Sequence, residues 1–199
     1  VREILVKPTD QDEVNLAMNT WIMRTSLLIH LLETEIPRGM WRFIRDVLSP
    51  SLTKMNVMAY EFKGYCAHIC SMNSYFEHNM EMLDNNNRAS LFGFEGRNIL
   101  TSVRDSTPTR YGNDANIHNS IVADGCLIEG EVDNSIIFRN VHIKPGAVVK
   151  NSIIMSNTTV EENARLEWIV SDKNVTIQEN RNLMAFQTHP FYIPKGKVI

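Results

Sequence analysis

Two patterns of apolar residues divide this chain. Over residues 1–95 the spacing is mixed, whereas beyond residue 112 apolar residues return every six positions. In the first part, residues 1–6 and 16–23 read as strands. Leu27, Leu28, Leu31 and Leu32 then fall at helical spacing, and Pro37 is expected to stop that run. A second helix is expected over residues 40–48, with Met40, Phe43, Ile44, Val47 and Leu48 on one face and Pro50 closing it. Residues 57–62 and 65–70 read as two strands around Lys63-Gly64. A further helix is expected behind a capping box of Ser74 and Glu77. Phe76, Met80 and Leu83 form its buried side, and the run Asp84–Asn87 ends it.

In the second part, Ile137, Ile143, Val149 and Met155 are spaced six apart. A second set, Val141, Ala147, Ile153 and Thr159, follows each of them by four. After a one-residue deletion the rhythm resumes with Val160 and Ala164, then Leu166 and Val170. Such a repeat predicts a parallel β-helix, in which each short strand points side chains inward and then turns a corner. Asn119, Asp124, Gly125, Asn134, Asn140, Gly146, Asn151, Asn157, Asn163 and Asn174 fall at the corners, where tight or left-handed backbone is needed. Each buried aliphatic side chain contributes about 1.5–3 kcal/mol, so a core built from this repeat can stand by itself. An antiparallel sandwich would instead alternate by two.

The charge balance narrows the function classes. With 20 Lys+Arg against 23 Asp+Glu and a net charge of −3, no basic field directs the chain to nucleic acid or anionic lipid. No apolar run reaches membrane-helix length. The three cysteines, Cys66, Cys70 and Cys126, cannot all pair, which points to a reducing, cytoplasmic setting. The chain opens on Val1 inside a strand-like run, so it is expected to be a fragment of a longer protein.

The segments Thr107–Tyr111, Ala115–Val122, Asp124–Gly130, Val132–Ile137, Gly146–Ser152 and Asp172–Ile177, taken in order, resemble the junction and β-helix of the glucose-1-phosphate adenylyltransferase (ADP-glucose pyrophosphorylase) family. That resemblance implies a fold of α/β plus all-β type. The C-terminal part of a nucleotidyltransferase domain of dinucleotide-binding type, residues 1–95, would lead through a linker, 96–114, into a left-handed parallel β-helix of hexapeptide repeats, 115–199.

Within the first part, Lys7-Pro8 resembles the family's sugar-phosphate lysine motif. Ala17–Trp21 and Gly64–Ser71 are similar to two further motif strands. Three positions depart from the family pattern. Val6 replaces a glutamate, Ala17 replaces a sugar-contacting serine, and His68 replaces the aspartate that holds catalytic Mg²⁺. Magnesium is a hard cation that takes carboxylate oxygen, and imidazole is a poor substitute. The glycine-rich nucleotide loop does not occur in these residues.

The resemblance is therefore closest to noncatalytic, GlgD-type subunits. It implies a regulatory and assembly role beside a catalytic ADP-glucose pyrophosphorylase subunit or further copies of itself. Any Mg²⁺ is expected in the catalytic partner, and no cofactor or metal in this chain. Lys7 is the one candidate substrate contact, in vestigial form. Arg88, Arg97, Arg104 and Arg110 flank the junction and are candidates for an anionic sugar-phosphate or nucleotide effector, because guanidinium forks suit phosphate.

Two other chemistries are weighed. Cys66, His68 and Cys70 alternate, as zinc ligands on one strand face would, although no fourth ligand is evident. His118 and His142 lie in the repeat, where a hexapeptide acyltransferase would use a histidine as general base. The remaining alternative is a fragment of a catalytic sugar-1-phosphate nucleotidyltransferase.

Overall fold

A computed structural model describes residues 1, 4, 15–93, 96, 99–102 and 104–199. The chain divides into two compact units, Val1–Lys63 and Gly64–Ile199.

In the first unit, α1 (Thr25–Glu35) carries the expected leucines and buries Leu31. The α-helical run stops ahead of Pro37, as expected. Pro37 sits in the first positions of a 3₁₀ turn, Ile36–Arg38, and Gly39 ends it at φ 78°. The helix expected over 40–48 is instead a widened π-type turn, Phe43–Leu48, running into α2 (Ser49–Ser51), which contains Pro50. A prolyl ring clashes with the carbonyl four residues earlier, and widening the turn ahead of it relieves that clash.

The strands expected at 16–23 and 57–62 do not form, and neither does the one at 65–70 in the second unit. A strand exists through its hydrogen-bonded neighbour, and these segments have no such neighbour among the described residues. Ile22, Met58 and Tyr60 stand in solvent as a result. The strand expected at 1–6 lies largely outside the described residues.

The second unit is built on a parallel β-helix of about four turns, the expected class. Three five-stranded parallel sheets form its faces. The first contains β1 (Arg110–Tyr111), β4 (Leu127–Ile128), β7 (His142–Ile143), β10 (Thr159–Val160) and β13 (Thr176–Ile177). The second contains β2 (Asn116–His118), β5 (Glu131–Asp133), β8 (Val148–Lys150), β11 (Arg165–Glu167) and β14 (Asn182–Met184). The third contains β3 (Ile121–Val122), β6 (Ile136–Ile137), β9 (Ile153–Ile154), β12 (Ile169–Ser171) and β15 (Phe191–Ile193).

Equivalent residues stack in register along the axis, so like packs on like. Ile128, Ile143, Val160 and Ile177 form one interior column, and Val132, Val149 and Leu166 another. The third column runs Ile137, Ile154, Ser171 and Ile193.

The predicted register slips at two corners. Ile153, Met155, Thr159 and Val170 are expected inside, but Ile154, Thr158 and Ile169 take those core positions, while Val160 stands inside as expected. The chain shortens by one residue at Asn151-Ser152, since Val149 is followed in the core by Ile154 and not by Met155. Ile153 and Val170 then face outward beneath a helix, and Met155 packs beside them.

That helix, α3 (Met72–Met80), is capped by Ser71 with Ser74, three residues ahead of the expected box. Ser71 lies in extended backbone and its hydroxyl accepts from the Ser74 amide, the geometry an N-cap requires. The run from Asp84 does not simply end a helix. The Asp84 carboxylate accepts from the Asn86 amide at 2.7 Å and starts α4 (Asn85–Phe92). Phe76 is buried as expected, with Met80 and Leu83 half-buried beside it, against Ile136, Ile153 and Val170 on the outer face of the third sheet. Consecutive β-branched residues in these strands fit a sheet covered on both faces. Residues Gly64–Phe92, grouped by sequence with the first domain, thus share a unit with the β-helix. Among the described residues no helix is long and apolar enough to cross a membrane.

Candidate functional site

The corners of the β-helix are built by side-chain ladders. Every expected corner residue except Asp124 has positive φ, and Asp124 precedes Gly125, which has φ 78°. Asparagine tolerates this backbone and its amide bonds the next coil. Asn119 donates to Asn134 at 2.8 Å, and Asn134 donates to Asn151 at 2.7 Å. Beside them the Ser120, Ser135 and Ser152 hydroxyls accept the backbone amides of Ser135, Ser152 and Ile169.

The next step of this staircase is not asparagine but Trp168, held at φ 59°. A bulky residue in left-handed backbone is a genuine outlier. Its indole packs on Phe76 of α3, with ring centroids 5.9 Å apart. Sequence reading missed Trp168. Aligning the coils exposes it, since Asn119-Ser120, Asn134-Ser135 and Asn151-Ser152 are followed at the same repeat position by Trp168-Ile169.

Beside this corner lies a cleft of about 310 Å³, lined by Phe76, Glu77, Met80, Glu81, Asn134, Trp168 and Gln187. Glu81 is fixed in place by two neighbours. The Tyr65 hydroxyl donates to its Oε2 at 2.6 Å, and His78 Nδ1 lies 3.0 Å from the same oxygen. The Tyr65 and His78 bonds hold the Glu81 carboxyl below its ordinary range. Burial, together with that carboxylate, pushes the Tyr65 phenol up to about 12. A second cleft, on the outer face of the second sheet, is lined by Lys150, Arg165 and Glu167 among others.

The residues singled out from sequence are scattered over this framework. Lys7 and Arg97 lie outside the described residues. Arg88 donates to the carbonyls of Met82 and Leu83 and to the Asn85 side chain, so its guanidinium ties α4 to the turn before it. Arg104 and Arg110 are exposed.

Cys66, His68 and Cys70 are exposed on a segment that is not a strand, so alternation does not bring them to one face. Among the described residues no three or more His, Cys, Asp or Glu side chains gather as a metal site. Two thiols and an imidazole also do not fit magnesium, which takes oxygen donors.

His118 and His142 take part in side-chain contacts with carboxylates on the surface of the coils, beside two lysine–glutamate pairs. His142 Nε2 lies 2.9 Å from Glu129 and His118 Nδ1 lies 3.2 Å from Asp133. Lys150 bonds Glu131 at 2.8 Å, and Lys144 bonds Glu161. Neither histidine lines either cleft.

Three stacked parallel faces, asparagine corners and a repeat of about six residues define a hexapeptide-repeat β-helix protein. The family model described as "GlmU-like, C-terminal hexapeptide" matches residues 106–184. The chain belongs to the glucose-1-phosphate adenylyltransferase family and lies near its members named GlgD. It is 35% identical over 134 residues to "Glycogen biosynthesis protein GlgD" of Bacillus subtilis, covering 67% of this chain and 38% of that protein. It is 34% identical over 152 residues to "Glucose-1-phosphate adenylyltransferase" of Geobacillus stearothermophilus, covering 74% of this chain and 39% of that protein. The GlgD of Geobacillus stearothermophilus is 35% identical over 133 residues. The chain thus spans about two fifths of the length of the curated relatives it matches.

Proposed function

We propose that this chain is the regulatory and assembly part of an ADP-glucose pyrophosphorylase-like subunit of glycogen biosynthesis. It associates with a catalytic subunit, with further copies of itself, or with both, and modulates ADP-glucose synthesis from ATP and glucose 1-phosphate. The observation that carries this reading is the GlgD similarity over 67% of the chain, combined with a segment Gly64–Ser71 that has His68 and no Asp or Glu. Nucleotidyl transfer needs a hard cation to neutralise charge that builds on the phosphates, and this segment supplies none of the oxygen ligands that cation takes.

The β-helix suits an assembly role because its in-register interior makes it rigid, so a partner docks on a surface that does not deform. Exposed Arg104 and Arg110 supply forked donors for a phosphorylated effector, while Arg88 is engaged internally. The reading is tested by purifying the full-length protein with a catalytic glucose-1-phosphate adenylyltransferase and measuring ADP-glucose formation with and without it. Association and a changed response to effectors are expected, and the response weakens in a variant with Arg104→Ala and Arg110→Ala. ADP-glucose synthesis at an undiminished family rate by the isolated full-length subunit counts decisively against it.

A further inference from the structure

We propose that the cleft at the Trp168 corner binds an uncharged saccharide. Three observations meet there. The first is the interrupted staircase, in which asparagine serves the same corner in three coils and Trp168 occupies the fourth at φ 59°. Backbone strain of this kind persists where the side chain it presents is needed. The second is the lining. An indole and the Phe76 ring stand beside the carboxamides of Asn134 and Gln187 and the carboxylates of Glu77 and Glu81. Saccharides present apolar C–H faces and a rim of hydroxyls, so they take a flat aromatic surface flanked by amide and carboxylate groups. The third is size. A cleft of about 310 Å³ falls at the small end of ligand sites, with room for about one monosaccharide ring.

The charge pattern selects among ligand classes. None of the residues lining the cleft is basic, so nothing there neutralises a phosphate, and the two carboxylates repel one. A cationic ligand is also poorly served. Glu81 already takes the Tyr65 hydroxyl and faces His78 on the same oxygen, which leaves exposed Glu77 at the rim. Held ionised by those neighbours, Glu81 acts as an oriented acceptor for a hydroxyl. Asn134 spends one N–H and one lone pair in the staircase and keeps one of each for a ligand.

The test follows the indole N–H resonances of the three tryptophans in the ¹⁵N-labelled chain. Titrants are maltotriose, N,N′,N″-triacetylchitotriose, glucose 1-phosphate and spermidine. A saturable shift of the Trp168 resonance with at least one of the two uncharged sugars, and none with glucose 1-phosphate, is expected. The resonance is assigned by its loss in Trp168→Asn, a substitution that suits the corner backbone. Gln187→Ala, an exposed site, weakens binding about fivefold. If Trp168→Asn does not fold, the Gln187→Ala comparison carries the test by itself. The proposal is overturned if neither sugar gives a saturable shift at tens of millimolar, if spermidine moves the resonance and the sugars do not, or if the sugar shift is unchanged in Gln187→Ala. The glycogen assignment is judged separately. A response to the chitin fragment without one to maltotriose keeps the saccharide site and argues against that assignment.

Discussion

Asn134 Nδ2 donates to Asn151 Oδ1 over 2.7 Å, across two coils and between two residues that both hold left-handed backbone. One residue type therefore solves two problems at each corner. It tolerates positive φ, and it hydrogen-bonds along the axis. Replacing Asn151 with Ala removes both and is expected to cost about 2 kcal/mol. Asn151→Gly keeps the backbone freedom and loses roughly half as much. Urea unfolding of the two variants, compared by midpoint, separates the contributions.

The glycine corners are tighter still. A Cβ on Gly125 would stand 2.3 Å from Asn140 Oδ1, and one on Gly146 would stand at 2.2 Å from Asn163 Oδ1. Both glycines also have positive φ. Gly146→Ala is thus expected to destabilise by about 2–3 kcal/mol, since strain and displacement of the Asn163 side chain combine. A thermal melt of the variant reads this directly.

The Ser171 hydroxyl is buried in the interior column with no hydrogen-bond partner among the described residues, between Ile154 and Ile193 in register. An unsatisfied buried hydroxyl costs about 1–3 kcal/mol, and the column around it is aliphatic. Ser171→Val is expected to raise stability by about 1 kcal/mol, seen as a higher urea midpoint with an unchanged slope.

Phe76 is 2% exposed and joins α3 to the outer face of the third sheet. Phe76→Ala is expected to cost about 3–5 kcal/mol at full burial. Phe76 is the buried anchor of this helix, so in the variant limited proteolysis should cut first within residues 72–92 while the coils survive.

The Tyr65–Glu81 bond predicts a pH dependence with two edges. The folded Glu81 carboxyl lies below its ordinary value of 4.5, so its contribution is present above that value and is lost as pH falls through the folded one. The Tyr65 phenol is raised from 10.0 to about 12. Its contribution is complete below 10.0 and disappears as pH climbs toward about 12. Tyr65→Phe should flatten the alkaline edge and reduce the acid one. Melting temperature against pH for both proteins is the check.

The β-helix was legible from sequence because its physics is periodic. Each turn repeats the same inward and corner positions, so asparagines and aliphatics announce their places before any fold is seen. The one-residue deletion is visible in the repeat, but its place at Asn151-Ser152 is not, because aliphatic residues at 153, 154 and 155 fit either register until the strands are paired. The strands at 16–23, 57–62 and 65–70 were misread for a different reason. Alternation marks a segment able to pair, while pairing depends on a neighbour that local sequence does not specify. The π-type turn before Pro50 was hidden because its signal is a steric conflict rather than a pattern.

The same division holds at the candidate sites. The ladder of repeated residue types, the charge balance, the lack of acid at His68 and the segments that resemble the family are properties of the linear chain. Two outcomes belong to tertiary structure: α3 resting on the third sheet, and Trp168 meeting Phe76, Glu77, Asn134 and Gln187 in one cleft. These residues are far apart in the chain. Local propensity acts over a few residues, and a cleft forms where burial of distant apolar faces brings their polar neighbours together.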